Sequence, residues 1–288
     1  MGGGQRADND NGVAIGYPRV RVEEANGSAE QSNPRSAESM TLADSLLPPD
    51  MFPSSFAMVM ATGIVSMTLD LLGYPYAANV LFALNIAAYV LVWVAGLTRI
   101  ARAPREVLAD IGHHVRGPQF LAIVAATNIL GVQCARLAGW NAAAAALWIA
   151  GIASWVVVTY GFFVAVTVTS RKPALEHGIG GAWLLITVAT ESVAVLGTGV
   201  AGQFARPDIA MFASLAFFLA GGMLYILVIA LIFFRWAFMP MPTHALTPPF
   251  WINMGAVAIA ALAGAILAGA AADYPFIASL AHFVVGFT

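Results

Sequence analysis

The sequence predicts an all-α integral membrane protein built from helical hairpins, and three observations support this fold class. First, 60% of the 288 residues are hydrophobic and only 10% are charged, with a mean hydropathy of +0.80, whereas soluble domains carry about 25% charged residues. Second, long apolar runs recur along the chain after residue 50. Third, a short motif repeats at a nearly constant spacing, which indicates that one structural unit occurs several times.

Residues 1–50 differ in composition from the rest of the chain. This segment is rich in Gly, Asn, Ser and Glu and contains no long apolar run. Such a segment cannot bury enough apolar surface to offset the entropy lost on folding. We therefore expect a disordered cytoplasmic tail at residues 1–50 and a transmembrane domain at residues 51–288.

The apolar runs that follow the tail are long enough to cross a bilayer, which takes about 20 residues. The turn formers Gly73-Tyr74-Pro75 and Gly139-Trp140-Asn141 separate the members of the first two pairs. The predicted spans are 56–72, 76–97, 119–137, 142–168, 181–204, 208–238 and 250–271, and an eighth begins near residue 274. The sixth is too long for a straight crossing and must tilt or extend beyond the membrane.

Basic residues are distributed unevenly between the two sides of the predicted spans. If the tail is cytoplasmic, 11 of the 13 basic residues lie on the cytoplasmic side, and only Arg136 and Arg206 lie on the other. Cytoplasmic loops of membrane proteins carry an excess of Lys and Arg. The distribution predicts a multi-pass protein of the cytoplasmic membrane with its N-terminus in the cytoplasm.

The repeated motif is Ala-Thr followed by a variable residue, and it lies in odd-numbered spans. Its third positions are Gly63, Asn128 and Glu191, with a weaker fourth match at Ala258, and they lie 65, 63 and 67 residues apart. This spacing predicts hairpin units at 51–116, 117–179, 180–246 and 247–288, the last of them incomplete. Because every unit starts on the same side of the membrane, the symmetry axis is parallel to the membrane normal. Hairpins arranged about such an axis form a ring around a central pore.

The odd-numbered spans are the better candidates for lining that pore. They combine small residues, which allow close helix packing, with polar groups, whereas the even-numbered spans carry bulky aromatic and branched side chains. Neutral hydrogen-bond donors suit an anion that must be released as well as bound. An alternative is that the polar groups join the helices of a solid bundle by hydrogen bonds. The candidate pore and substrate-binding residues are Thr62, Gly63, Asn128, Thr190, Glu191 and Asn253.

Glu191 is an ionisable residue in the middle of the fifth span. A charged side chain at that depth costs roughly 2.5–3.5 kcal/mol on insertion scales, so a neutral, protonated carboxyl is expected. One hypothesis makes Glu191 a proton carrier that couples anion movement to a proton gradient. The other makes it a protonated hydrogen-bond partner that fixes the fifth helix against a neighbour.

Arg136 lies near the outer end of the third span, eight residues beyond Asn128. It either attracts anions into an outer vestibule or places its charge at the membrane interface. Asp70 occupies nearly the same depth in the first unit, so an Asp70–Arg136 pair is possible and would reduce the attraction for anions.

Three segments resemble one family of membrane proteins, the tellurite-resistance/dicarboxylate transporter family. They are Phe56-Ala-Met-Val-Met-Ala-Thr-Gly-Ile-Val-Ser66, Val188-Ala-Thr-Glu-Ser-Val-Ala194 and Pro249-Phe-Trp-Ile-Asn-Met-Gly-Ala256. The family includes bacterial TehA-like proteins, fungal malate carriers, sulfite exporters and the slow anion channels of plant guard cells. The resemblance implies five hairpins in a quasi-five-fold ring, an anion pore lined by odd-numbered helices, and homotrimers with one pore per subunit.

The sequence departs from this family pattern at its C-terminal end. The chain ends inside the eighth helix, so the fifth hairpin, and with it the phenylalanine that blocks the pore in the channels, is expected to be absent. Since an open ring would expose polar lining to lipid, a fragment is the favoured interpretation.

The expected function is transport of small anions, with C4-dicarboxylates such as malate favoured by the resemblance. An inorganic anion channel and a sulfite or tellurite-related oxyanion exporter remain alternatives, as do a non-conducting membrane scaffold and an intramembrane enzyme. We expect no enzymatic activity, no cofactor and no nucleic acid as partner, because nucleotide-binding and metalloprotease motifs are lacking. His113 and His114 are adjacent in a predicted loop with no third ligand nearby, which argues against a metal site.

Overall fold

The computed structural model of the chain describes residues 53–240 and 248–279, together with residues 1, 2 and 286. Residues 3–50 of the tail predicted at residues 1–50 lie outside the described residues, as do His244, His282 and most of the predicted eighth helix. Throughout the described part of the chain, the regular secondary structure is helical, so the prediction of an all-α protein is confirmed.

Ten helices follow one another in the described residues. They are α1 (Ser55–Leu71), α2 (Pro75–Arg102), α3 (Pro104–Ile111), α4 (Leu121–Leu137), α5 (Asn141–Val168), α6 (Leu175–Gly178), α7 (Leu185–Val200), α8 (Pro207–Phe238), α9 (Ile252–Gly269) and α10 (Pro275–Ala278). With the short 3-10 turns that precede some of them, six of these helices are long and apolar enough to cross a membrane, and α1 is a shorter apolar helix.

Local sequence explains where the helices begin and turn. Proline occupies the first position of α2 and of α8, where the missing N–H is not needed and φ is already suitable. Gly73 and Gly139 adopt φ values of 82° and 66° at the turns of the first two hairpins, a conformation that other residues rarely adopt. The predicted tight turns are therefore present.

The helices pack as antiparallel pairs, α1 with α2, α4 with α5 and α7 with α8. The first helix of each pair also packs against the first helix of the next pair, so that α1, α4, α7 and α9 are neighbours in that order. The second helices α2, α5 and α8 each contact the first helix of the following pair as well. We call α1, α4, α7 and α9 the inner helices, and α2, α5 and α8 the outer helices.

Burial distinguishes the inner helices α4 and α7 from the outer helices, whereas the inner helix α9, with 28% of its most apolar part buried, resembles the outer helix α8, with 33%. In the most apolar part of α7 and its leading turn 89% of residues are buried, against 17% in α5. Small residues of α4 and α7, including Ala125, Ala126, Ala189 and Ala194, are fully buried, because small side chains let neighbouring helices approach closely. The bulky outer helices expose their side chains as a lipid-facing surface does, as their sequences predict.

Candidate functional site

A layer of buried polar side chains lies on the inner helices α4 and α7, with one member on the outer helix α2. In soluble cores such groups are normally hydrogen-bonded, and in hydrocarbon an unpaired polar group is more costly still. The layer is the candidate functional site because it contains the residues of the repeated motif. Its buried members are Asn85, Thr127, Asn128, Gln133, Thr187, Thr190, Glu191 and Ser192.

Glu191 is completely buried in α7. Neither of its carboxylate oxygens has a hydrogen-bond partner among the described residues. The carboxyl packs directly against the backbone of Gly221 on the outer helix α8, where a Cβ atom would lie 2.7 Å from Glu191 Cδ and 3.0 Å from Cγ. Glycine at position 221 therefore makes room for the carboxyl group, and a larger residue there would force the Glu191 side chain to shift.

Asn128 occupies the same position of the repeat in α4 and has a similar environment. Its carboxamide packs against Gly151 of the outer helix α5, where a Cβ atom would lie 2.9 Å from both Cγ and Nδ2. The Nδ2 group donates to the Val124 carbonyl at 3.0 Å and to Ser192 Oγ at 3.1 Å. Asn128 thus joins the inner helices α4 and α7 through its bond to Ser192. Gly151, on the outer helix of the same hairpin, provides the space for its carboxamide.

The first hairpin has the same contact with the two residue types exchanged. Here the inner helix supplies Gly63, where a Cβ atom would lie 2.5 Å from Ile129 Cγ2 of α4 and 3.1 Å from Nδ2 of Asn85 on the outer helix. Asn85 Nδ2 also donates to Gln133 Oε1 of α4 at 2.6 Å. In all three hairpins, then, a polar side chain on one helix fits against a glycine on the other.

A second repeated contact joins each outer helix to the inner helix of the next hairpin. The Tyr89 hydroxyl bonds Thr127 Oγ1 at 2.9 Å, the Trp155 indole N–H donates to Thr190 Oγ1 at 2.8 Å, and the Tyr225 hydroxyl donates to Asn253 Oδ1 at 3.1 Å. The threonine hydroxyls themselves donate to carbonyls one turn earlier, at Ile123 and Ile186. Thr127 therefore accepts the bond from Tyr89.

Arg136 and Asp70 lie at the end of α4 and α1, away from the buried layer. Arg136 Nε is 3.8 Å from Asp70 Oδ2, and the side chains are 51% and 29% exposed. The pair considered from the sequence is thus present, in a long and partly solvated form that contributes little to stability.

The structure brings four of the six predicted pore residues into this layer. Gly63, Asn128, Thr190 and Glu191 are buried, whereas Thr62 and Asn253 are half-buried. The polar ends of Asn128 and Glu191 contact the outer helices of their own hairpins. A role in lining a pore stays a prediction for all six residues.

Sequence reasoning missed the residues on the outer helices. Two sets of outer-helix residues repeat along the chain with successive spacings of 66 and 70 residues: Asn85, Gly151 and Gly221, and Tyr89, Trp155 and Tyr225. The first spacing is close to the 65 residues between Gly63 and Asn128, but the second exceeds the 63 residues between Asn128 and Glu191 by seven, so the spacing is only a weak signal for these partners. Glycine is also common in membrane helices, so its repetition carries little weight by itself.

Comparison with protein families identifies the chain. The family model SLAC1, described as voltage-dependent anion channel, matches residues 50–288. The chain belongs to this family. Comparisons with curated proteins and with solved structures gave no match.

Membership of the voltage-dependent anion channel family confirms the resemblance inferred from the three sequence segments. The protein is therefore an all-α, multi-pass membrane protein of a family that transports anions and is not a family of enzymes. Among the described residues no group of three or more His, Cys, Asp or Glu side chains could hold a metal ion. What the buried layer offers is hydrogen bonding by amides and hydroxyls, and one carboxyl group, that of Glu191.

Proposed function

We propose that this voltage-dependent anion channel family member carries small anions, with C4-dicarboxylates such as malate as the preferred class. The route is a pore between the inner helices of each subunit, in homotrimers in the cytoplasmic membrane with the N-terminus in the cytoplasm. Family membership supports anion transport. The excess of basic residues in the connections on one side supports the orientation.

The observation that carries the mechanism is the buried carboxyl group of Glu191 without a hydrogen-bond partner. A carboxylate enclosed by hydrocarbon and by the Gly221 backbone is unstable unless it is protonated or paired. A protonated Glu191 does not repel a passing anion, whereas an ionised Glu191 does. Because a fixed bond partner is missing among the described residues, the geometry favours the proton-carrier role over the role of a permanent helix–helix bond.

Proton exchange at Glu191 requires the contact with Gly221 to open, since the carboxyl is fully enclosed when α7 and α8 are packed together. Opening this contact would move the inner helix and admit water to the carboxyl. Protonation of Glu191 and the position of α7 are thereby linked, because the ionised form is disfavoured in the packed arrangement.

The remaining residues of the predicted set supply weak binding. Asn253 uses its Oδ1 to accept a bond from Tyr225, which leaves its amide nitrogen as the donor for an anion. Half-buried Thr62 offers a hydroxyl, and the Asn85 amide lies next to Gly63, which has no side chain to cover it. Asn128 and Thr190 hold the inner helices through the bonds described above. Several weak donors, rather than one strong cationic site, favour passage over retention.

The test is flux of labelled malate and of chloride into liposomes that contain the purified protein, with and without an inward proton gradient. For the wild type we expect malate flux that increases with the proton gradient. Glu191→Gln should keep the flux and lose the dependence on the gradient, because glutamine has the shape of the neutral acid but cannot release a proton. Asp70→Asn is the matched control, since it removes a carboxyl outside the buried layer and should retain the dependence.

Each result of this experiment has a defined meaning. If Glu191→Gln responds to the proton gradient as the wild type does, the proton-carrier role is wrong. If chloride flux exceeds malate flux, the dicarboxylate preference is wrong and an inorganic anion channel is the better description. If neither anion moves, the transport proposal itself fails.

A further inference from the structure

A basic cavity lies between two connections on the side that the charge distribution assigns to the cytoplasm. It has a volume of about 570 Å³ and is formed by residues that follow α3 and residues that follow α5. Its lining includes Arg171, Lys172, His113, His114 and His177. His177 thus lines the same cavity as His113 and His114, although these three histidines do not form a group that could hold a metal ion.

Positive charge in this cavity is not balanced by its lining, which contains no acidic residue. Glu176 lies beside His177, with its Oε1 atom 3.4 Å from Nδ1. Asp110, which with Glu106 supplies the two carboxyl groups of the preceding helix α3, is held by Arg99 and Arg116 at 2.8 and 3.0 Å. The two permanent cations, Arg171 and Lys172, therefore leave this cavity with an excess of positive charge.

The protonation of His114 reflects this environment. Burial lowers the pKa of His114, and the neighbouring charges of His113 and Lys172 lower it further. A bound anion would relieve the repulsion between these groups and favour the protonated form of His114. The electrostatic character of the cavity thus favours binding of an anion.

The walls of the cavity are fixed to the inner helix that contains Glu191. The Trp183 indole N–H lies 2.9 Å from the His114 carbonyl and 3.0 Å from the Gly178 carbonyl, and donates to both. Trp183 belongs to the turn at Gly181–Leu184 that leads into α7. It is therefore eight residues, or about 12 Å along a helix, from Glu191.

We propose that this cavity binds a phosphate monoester, either the headgroup of an anionic lipid or a soluble phosphate, and that it is a regulatory site distinct from the transport pathway. Arg and Lys are the side chains that bind phosphate oxygens, Arg through several N–H groups and Lys as a compact charge. Histidines that become protonated add further donors. Basic pockets next to membrane helices on the cytoplasmic side are suited to lipid headgroups, and α5 ends at Val168 beside this cavity.

A phosphate group fits this site better than a carboxylate does. The lining places two permanent cations and three imidazoles around one cavity, which matches a tetrahedral dianion with several acceptor oxygens rather than one flat carboxylate. Binding would draw the two connections together around the ligand. Because Trp183 joins both connections to the start of α7, the position of that helix would respond.

The experiment measures binding and does not depend on transport. Purified protein is placed in nanodiscs of phosphatidylcholine, with or without phosphatidic acid, and its thermal unfolding midpoint is followed as inorganic phosphate is added. Retained phosphatidic acid is counted by native mass spectrometry after release from the nanodiscs. The variant Arg171→Gln/Lys172→Gln removes the two permanent cations, and Arg105→Gln is the control, an exposed arginine on α3 that does not line the cavity.

We expect inorganic phosphate to raise the unfolding midpoint of the wild type in a saturable manner in phosphatidylcholine nanodiscs. The double variant should require about tenfold more phosphate, or lose the effect, and should retain less phosphatidic acid, while Arg105→Gln should match the wild type. A phosphate effect that disappears when phosphatidic acid is present identifies the lipid headgroup as the occupant. An effect that persists identifies a soluble phosphate.

The proposal is overturned if neither phosphate stabilisation nor retention of phosphatidic acid differs between the wild type and the double variant. Both side chains are exposed, so the variant is expected to fold; its midpoint without phosphate verifies this. The single charge reversal Lys172→Glu gives a second test and should likewise weaken phosphate stabilisation and lower the retention of phosphatidic acid. Loss of phosphate binding with unchanged malate flux would leave the proposed function intact.

Discussion

Substituting the glycine that faces Glu191 tests the central packing contact of the site. In Gly221→Ala the added methyl group would lie 2.7 Å from Glu191 Cδ and 3.0 Å from Cγ, where ordinary contacts are 3.4–4 Å. Because Glu191 is fully buried, its side chain cannot swing into solvent to relieve the clash. Overpacking of this kind costs about 1–3 kcal/mol.

A matched control uses Gly161, which lies on the exposed side of the outer helix α5 and has no atom within 4 Å of a Cβ at its position. Gly161→Ala should leave stability unchanged or raise it by up to about 1 kcal/mol, since alanine is the better helix former. At about 2–4 °C per kcal/mol, the two variants should differ by several degrees in thermal unfolding in detergent.

A double substitution separates this contact from a general effect on α8. In a Glu191→Ala background the carboxyl is gone, so Gly221→Ala should lose most of its cost, which corresponds to a coupling energy of about 1–3 kcal/mol. An equal cost in both backgrounds would refute the reasoning, as would a Gly221→Ala protein as stable as the Gly161→Ala control.

Three further predictions concern single contacts. Trp155→Phe removes the bond to Thr190 and should lower the free energy of unfolding by about 0.5–1.5 kcal/mol, measured in detergent; an unchanged midpoint would show that the bond adds nothing. Arg136→Gln should slow anion uptake from the outer side and Asp70→Asn should speed it, and both effects should shrink at high salt; changes in the same direction would contradict steering by this pair. Burial and neighbouring positive charges lower the pKa of His114, so the unfolded chain binds the proton more readily and stability should fall as pH drops through about 6.5. His114→Asn should remove part of that fall in midpoints measured between about pH 7.5 and 5.5, and an identical pH profile would contradict the assignment.

Sequence composition was sufficient for the helices but not for the direction in which their polar groups face. Apolar runs and turn residues placed all seven predicted spans within a few residues of the observed helices α1, α2, α4, α5, α7, α8 and α9, because a membrane span needs a long uninterrupted apolar stretch. The repeated motif correctly indicated that Asn128 and Glu191 occupy equivalent positions. It could not indicate that each faces a glycine of an outer helix. Because α4 and α7 are enclosed almost completely by other helices, their sequences lack the contrast between an exposed and a buried face that would show which way a side chain points.

Contacts between distant loops could not be predicted from the sequence, for another reason. His113 and His177 are 64 residues apart and belong to different hairpins, so only the packing of neighbouring units brings them to one cavity. The Asp70–Arg136 pair was accessible because both residues have the same depth within a repeating unit. The repeat spacing of the chain therefore predicts how deep a residue lies in the membrane, but it predicts poorly which residues of neighbouring hairpins that residue contacts.

The bonds that run from Tyr89, Trp155 and Tyr225 to the following inner helices have a mechanical consequence. Each of these side chains fastens one hairpin to its successor, so an outer helix that tilts pulls the adjoining inner helix with it. A movement of one hairpin is then transmitted to the next hairpin through these hydrogen bonds. A conduit assembled in this way would widen and narrow as a whole, and a single molecule would switch between shut and conducting levels without intermediate steps.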